Sequence, residues 1–309
     1  MTKKIIIALL ISTSGLSLTF AQEDNSSPLK GDKPIEYMST KEGDIDLYYE
    51  YKIWRTLNLE ETPNQPLALP KTPIKSRKNL GTVIIESIGN ENFPIPVHQP
   101  SDQEMTQEPL TPTEIYNKFN LQKEIRDRCI LFQLTGDNYT IMVKDGDPKI
   151  TVPQDSLFAY LPKFLSEESV NNILTSISGQ IYKYDLYEVW FFNKRYSTFK
   201  SEIRAICPYI KDPTSGQPQS IGWIPFDQLR RYLVQVPIKL SDFNATVGMN
   251  QYSMDAYFTS RLYSGEIVQA ENLQGKRFID YNLTPDQIAK QRQEIETRLI
   301  NLEEDIWAY

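Results

Sequence analysis

Residues 187–209 read YEVWFFNKRYSTFKSEIRAICPY, and their period decides the fold class. Counted in twos, Leu186, Trp190 and Phe192 fall on one face of a strand, and Tyr187, Val189 and Phe191 on the other. A strand that is apolar on both faces is covered on both sides, by helices or by a partner. NKRYS reads as a turn, and TFKSEIRAIC then alternates again, so the stretch is a hairpin. After the turn-rich KDPTSGQPQS, IGWIPF (221–226) supplies a third antiparallel strand. The expected fold is α+β: a small antiparallel sheet (core hairpin about 184–208 plus 221–226) covered by helices, with extended Pro-rich N-terminal segments.

Helical signals flank this sheet. Asn79–Gly89 (NLGTVIIESIG) predicts a short buried helix, with a strand as second choice. Thr111-Pro112-Thr113-Glu114 has the threonine, proline and glutamate of a capped start, and Ser166 opens a helix through Ile177. DQLRRYLVQ and MDAYFTSRLYS read as helices. Thr284-Pro285-Asp286-Gln287 caps the last one, in which Ile288, Ile295, Leu299, Leu302 and Ile306 form one stripe. Its other face, with Lys290, Arg292, Gln293, Glu296, Glu303 and Glu304, reads as too charged to bury, and Trp307 and Tyr309 end the chain. Between residues 128 and 143, CILFQL, the turn TGDN and YTIMV predict a hairpin. Residues 44–61 step at helical spacing through Leu47, Tyr51, Trp54 and Leu57. Pro63, Pro66, Pro70 and Pro73 predict an irregular surface crossing after them.

The chain begins MTKKIIIALLISTSGLSLTFAQ, two lysines before an apolar run too short to span a bilayer. Residues 1–21 are read as a signal peptide, with no cysteine at its end for lipidation, and residues 22–43 as a disordered leader. Residues 44–110 then form an extended and helical N-terminal segment, and 111–309 the α+β core domain. The expected product is exported, with no direct membrane insertion. Without Lys3 and Lys4 the charge is about −9, which argues against nucleic acid as partner.

Catalytic chemistry is sparse. His98, the only histidine, sits between prolines and reads as a solvated loop residue. No CxxC, HExxH or Gly-rich phosphate loop occurs, so no cofactor and no metal is expected. KDGDPK reads as a hairpin turn instead of a calcium loop, and no carboxylate pair stands out for a glycosidase. Cys129 and Cys207 could form a disulfide, remain two buried thiols, or bond a partner. What stands out is 18 Tyr, 13 Phe and 4 Trp, most of them expected in the core and some, as a group, at an interface. Trp190, Phe192, Tyr209, Trp223, Tyr257, Arg261, Trp307 and Tyr309 are the candidates for partner contact. In a competing reading, Trp190 or Trp223 stacks on sugar in a carbohydrate-binding module.

Several ordered motifs carry a resemblance. IWRTLNLEETPNQPL, SRKNLGTVIIESI, EPLTPTEI, the aromatic hairpin, IGWIPFDQLRRYL, MDAYFTSRLYSGEIVQAEN and the final NLEEDIWAY follow one another. Together they resemble the gliding-motility GldN family, called PorN in non-gliding relatives. The likeness covers most of residues 47–309, is thinnest between about 120 and 178, and departs at DFNATVGMNQYS (242–253). It implies a non-catalytic periplasmic subunit of the type IX secretion system. Such a subunit would form a ring with a GldK/PorK-like outer-membrane lipoprotein and couple to the GldL–GldM-type motor through its GldM/PorM-like periplasmic arm.

Overall fold

At residues 47–58 a period of two wins over 3.6. The computed structural model, which describes residues 47–193, 198–211, 216–239 and 251–307, makes Leu47–Asn58 a twelve-residue strand, β1, where spacing predicted a helix. In the strand Tyr51 and Leu57 share one face and Trp54 lies on the other, and long-range pairing decides against the helix. Trp54 stands opposite Tyr187 and stacks on it, ring centroids 5.0 Å apart and 11° from parallel. Such an aromatic pair adds about 0.5–1.5 kcal/mol beyond its buried area.

The chain continues through the short helix α1 (Gln65–Ala68), α2 (Leu80–Ile88), α3 (Pro112–Lys118) and α4 (Leu121–Arg126). Next come β2 (Leu131–Thr135), β3 (Asn138–Met142), β4 (Ile150–Pro153), α5 (Leu157–Phe164) and α6 (Glu167–Ser178). The aromatic hairpin is β5 (Ile181–Asn193) and β6 (Thr198–Lys211), followed by β7 (Pro218–Ser220) and β8 (Ile224–Pro225). Last are α7 (Phe226–Leu233), β9 (Pro237–Lys239), β10 (Gln251–Ser253), α8 (Met254–Thr259), β11 (Glu266–Ala270) and α9 (Pro285–Trp307).

The fold is α+β. Its main sheet has six strands in the order β11-β1-β5-β6-β7, with β8 also on β6. β1 lies antiparallel between β5 and β11, so the described part of 44–110 belongs to the same core as 111–309 and is no separate segment. The third strand expected from IGWIPF shrinks to Ile224 and Pro225, since Trp223 pairs instead with His98. Two smaller sheets, β2-β3-β4 and β9-β10, stand apart from it. KDGDPK is the β3–β4 turn, as read.

Capping follows the sequence. Asn79 accepts the Thr82 N–H at 2.7 Å, Thr111 and Glu114 close a capping box, and Thr284 and Gln287 do the same for α9. The proline stretch departs from the reading: Thr62–Asn64 forms a 3-10 turn and α1 follows it, each with a proline in its first turn.

Opposed residues of an antiparallel pair point the same way, which sorts the sheet's two faces. One face carries Leu57, Tyr184, Leu186 and Ile206 into the largest core, shared with α2, α6, α7 and α8. Further along the same face, Ile53 and Ile267 join Leu299 and Phe278 under α9, with Trp190, Ile288 and Ile295 partly buried beside them. The second face holds Trp54, Tyr187, Val189, Phe191, Ala205, Cys207 and Trp223, with Met105 and Val268 packed against them. Its described members come from strands and loops, where helices were expected on both sides.

Cys129 and Cys207 are both free thiols. Cys129 packs against the main core and Cys207 lies inside the second-face cluster, so they form no bridge with each other. The signal peptide, the 22–43 leader, Tyr309 and most of the departing loop 242–253 lie outside the described residues, as do the side chains of Leu302, Ile306 and Trp307.

Candidate partner-binding surface

Between the two cores of the first face stands a charge. Glu188, in β5, is fully buried with Ile53 opposite on β1 and Ile203 opposite on β6. Its Oε2 accepts from Arg261 Nη2 at 3.0 Å and from Trp190 Nε1 at 3.2 Å. Oε1 accepts from the Tyr263 hydroxyl at 3.0 Å and lies 3.3 Å from Arg55 Nε. Burial pushes this carboxyl up, but the Arg261 and Arg55 guanidiniums and the bonds from Arg261 and Tyr263 outweigh it. The group sits below the ordinary glutamate range. Burial and the same carboxylate hold the Tyr263 hydroxyl neutral.

Arg261 arrives from the turn after α8 with φ +51°, and its guanidinium also lies over the Trp190 ring, 4.6 Å from the centroid. Two sequence candidates, Trp190 and Arg261, are therefore brought together by a residue that sequence reading passed over. Phe192 is half-buried two residues along the same face, and Tyr51 stands opposite Trp190 with Arg298 of α9 over its ring. This half-exposed aromatic and cationic group occupies the far end of the sheet.

A second network holds the other face. Asp185, fully buried, accepts from Thr56 and from Arg277 Nη2 at 2.6 Å, and Arg277 also donates to the Tyr209 hydroxyl at 2.8 Å. Tyr209 is half-buried, with Lys183 over its ring at 4.4 Å. Arg230 and Asp255 form a two-pronged buried ion pair at 2.7 and 3.0 Å that ties α7 to α8. Asn64, fully buried, bonds Asn58 and Ser264 with both ends of its amide and braces β1 against the approach to β11.

Trp223 and Tyr257 are corrected as contact candidates, because both are buried. Trp223 donates its indole N–H to Pro100 O at 3.1 Å, and Tyr257 its hydroxyl to Pro63 O at 2.6 Å. A sugar could not reach Trp223. His98 is corrected too. It is buried, its backbone pairs with Trp223 at 2.8 and 3.0 Å, and its Nδ1 lies 3.0 Å from Gln107 O. Asp102 anchors this loop through Thr106 and Gln107. Burial raises its carboxyl, but the two backbone N–H groups and the Thr106 hydroxyl hold it below the usual range. Gly222 makes the close approach: its φ is +150°, and a Cβ there would fall 2.4 Å from His98 O.

The chain between β11 and α9 was not singled out in the sequence, yet Leu273, Ile279 and Tyr281 are exposed there. They adjoin an open groove of about 420 Å³ whose apolar lining is Ala270, Phe278, Tyr281, Leu283 and Ile295. Large apolar residues in a non-periodic connector were the available signal. Among the described residues no group of three or more His, Cys, Asp or Glu is placed to hold a metal ion. No described helix is long and apolar enough to cross a membrane.

Fold and site together define an α+β protein organised by buried carboxylate–arginine networks beneath a half-exposed aromatic surface. The chain belongs to the gliding motility associated protein GldN family, whose model matches residues 43–308. A search of curated proteins returned no match.

Proposed function

We propose that this chain is a non-catalytic structural subunit of the type IX protein secretion and gliding machinery. It works in the periplasm, against the inner face of the outer membrane. There it self-associates into a ring with a GldK/PorK-like lipoprotein and couples to the GldL–GldM-type motor through its GldM/PorM-like arm. The observation that carries this reading is the family match from 43 to 308, which takes in every described element. The expected export signal at residues 1–21 is consistent with it. Trp190, Phe192, Arg261 and Tyr209 keep partly exposed surface and remain the contact candidates, together with Trp307 and Tyr309.

The test is co-purification of the tagged chain from detergent-solubilised envelope, followed by mass spectrometry. A lipoprotein and the motor's arm protein are the expected companions. A sharp soluble monomer at high concentration that captures no envelope lipoprotein would end this reading.

A further inference from the structure

We infer that the seam between β1 and β11 holds a buried water molecule, bound between Trp54 and Gln269. The inference stands on these two side chains and not on the role proposed above. Trp54 and Gln269 are partners in the antiparallel β1–β11 pair, so their side chains share the second face of the sheet, with Cβ atoms about 5 Å apart. Gln269 is 1% exposed and Trp54 6%. Three of their polar atoms, Trp54 Nε1 and both Nε2 and Oε1 of Gln269, are shut off from solvent and bond no protein atom among the described residues. Trp223, the other buried tryptophan of this face, donates its indole N–H to Pro100 O.

The local geometry keeps the pair from satisfying itself. Stacking on Tyr187 of β5 fixes the plane of the Trp54 ring, so its N–H cannot turn to follow the amide. On the β11 side the register slips between Trp54 and Arg55, which leaves Val268 without a partner on β1. A bulge of this kind bends the strand and re-aims its side chains. Met105 packs against the same cluster and Glu104 pairs with Lys52 at 2.8 Å, so the loop that carries them lies over this part of the face. An unpaired buried amide is costly, and the usual remedy is an internal water, which makes about three bonds to such groups. Here one water supplies all three. It accepts from Trp54 Nε1 and Gln269 Nε2 and donates to Gln269 Oε1, because a primary amide presents donor and acceptor side by side. Because no opening reaches the three atoms, the occupant is a molecule as small as water.

The experiment uses the chain from Gln22 onward with isotope-labelled tryptophan, whose four residues give four indole N–H signals. Trp54→Phe identifies the signal of Trp54, and Trp223→Phe that of Trp223. Water-selective cross-relaxation in nuclear magnetic resonance should show the Trp54 indole proton touching a long-lived water that tumbles with the protein. Trp223, as deeply buried but bonded to Pro100 O, should show none. Gln269→Leu should abolish the Trp54 contact and leave circular dichroism and the Trp223 signal unchanged. A crystal structure that shows ordered water should place one within about 3.2 Å of Trp54 Nε1 and of the Gln269 amide. The inference is overturned by the lack of a water contact at Trp54, or by a contact that survives Gln269→Leu. A crystal structure in which Trp54 Nε1 bonds Gln269 or another protein atom directly would also overturn it. If any variant fails to fold, the crystal structure of the natural protein decides alone.

Discussion

Glu188 concentrates the residue-level physics. Removing its charge leaves Arg55 and Arg261 facing a buried neutral amide, so Glu188→Gln should cost about 3–5 kcal/mol of stability. Its folded pKa is depressed, so its stabilising contribution is complete above the ordinary glutamate value and is lost as pH falls through the lower folded value. Urea unfolding from pH 7 down to pH 3 should show a steep loss for the natural protein and a shallower one for Glu188→Gln. Equal slopes would mean that this carboxylate is not the titrating group. The thiols give a second residue-scale expectation. Burial pushes the Cys207 thiol up to about 12, whereas Cys129 is only half-buried. Alkylation of the folded protein should label Cys129 alone, and unfolding should expose both without any reductant. At Gly222, substitution by alanine should destabilise by about 2 kcal/mol or more, through the strained φ and the clash with His98 O.

Among the elements, α9 is the most exposed to test. Its capped start and its stripe were read from sequence, and Ile288, Ile295 and Leu299 do pack onto the sheet. Arg292, placed on the face too charged to bury, instead donates to Ile267 O at 2.9 Å and pairs with Glu266 at 2.8 Å. A guanidinium can lay its stem on apolar surface and still reach a strand carbonyl, which a charge count alone misses. Leu299→Ala should cost about 2–5 kcal/mol, read as a shift of the denaturation midpoint. Deleting 303–309 should leave that midpoint almost unchanged, because Ile288, Arg292, Ile295 and Leu299 remain. Capture of the envelope partners should weaken, since terminal aromatics are typical interface anchors. A collapsed melting temperature would place the tip in the core, and undiminished capture would remove it from the interface.

For the whole molecule, the decisive fact is that β1 lies between β5 and β11. A chain beginning at residue 111 would lose the neighbour of β5, the stacked Trp54 and the Arg55 partner of Glu188 together with α2. It should fail to unfold cooperatively and should expose apolar surface to a hydrophobic dye. A chain beginning at residue 44 should behave as the full protein does. A well-dispersed amide spectrum from 111–309 alone would show that the strands can re-pair without β1.

Whatever is decided within one turn or one strand pair was legible in the sequence. The aromatic hairpin, the 131–142 hairpin, the capped starts at Thr111, Ser166 and Thr284, and α2 all carry their instructions within a few residues. These signals were enough for the α+β class, and the ordered motifs for the family. Tertiary structure alone decided β1, whose spacing suits a helix until β5 and β11 claim its hydrogen bonds. It also decided the network at Glu188, whose partners come from positions 55, 190, 261 and 263, and the burial of His98, Trp223 and Tyr257. Whether a polar or aromatic side chain is core or surface depends on which distant segment lies across it. Local periodicity carries no record of that segment, because the free energy of burial is gained only when the chain closes on itself.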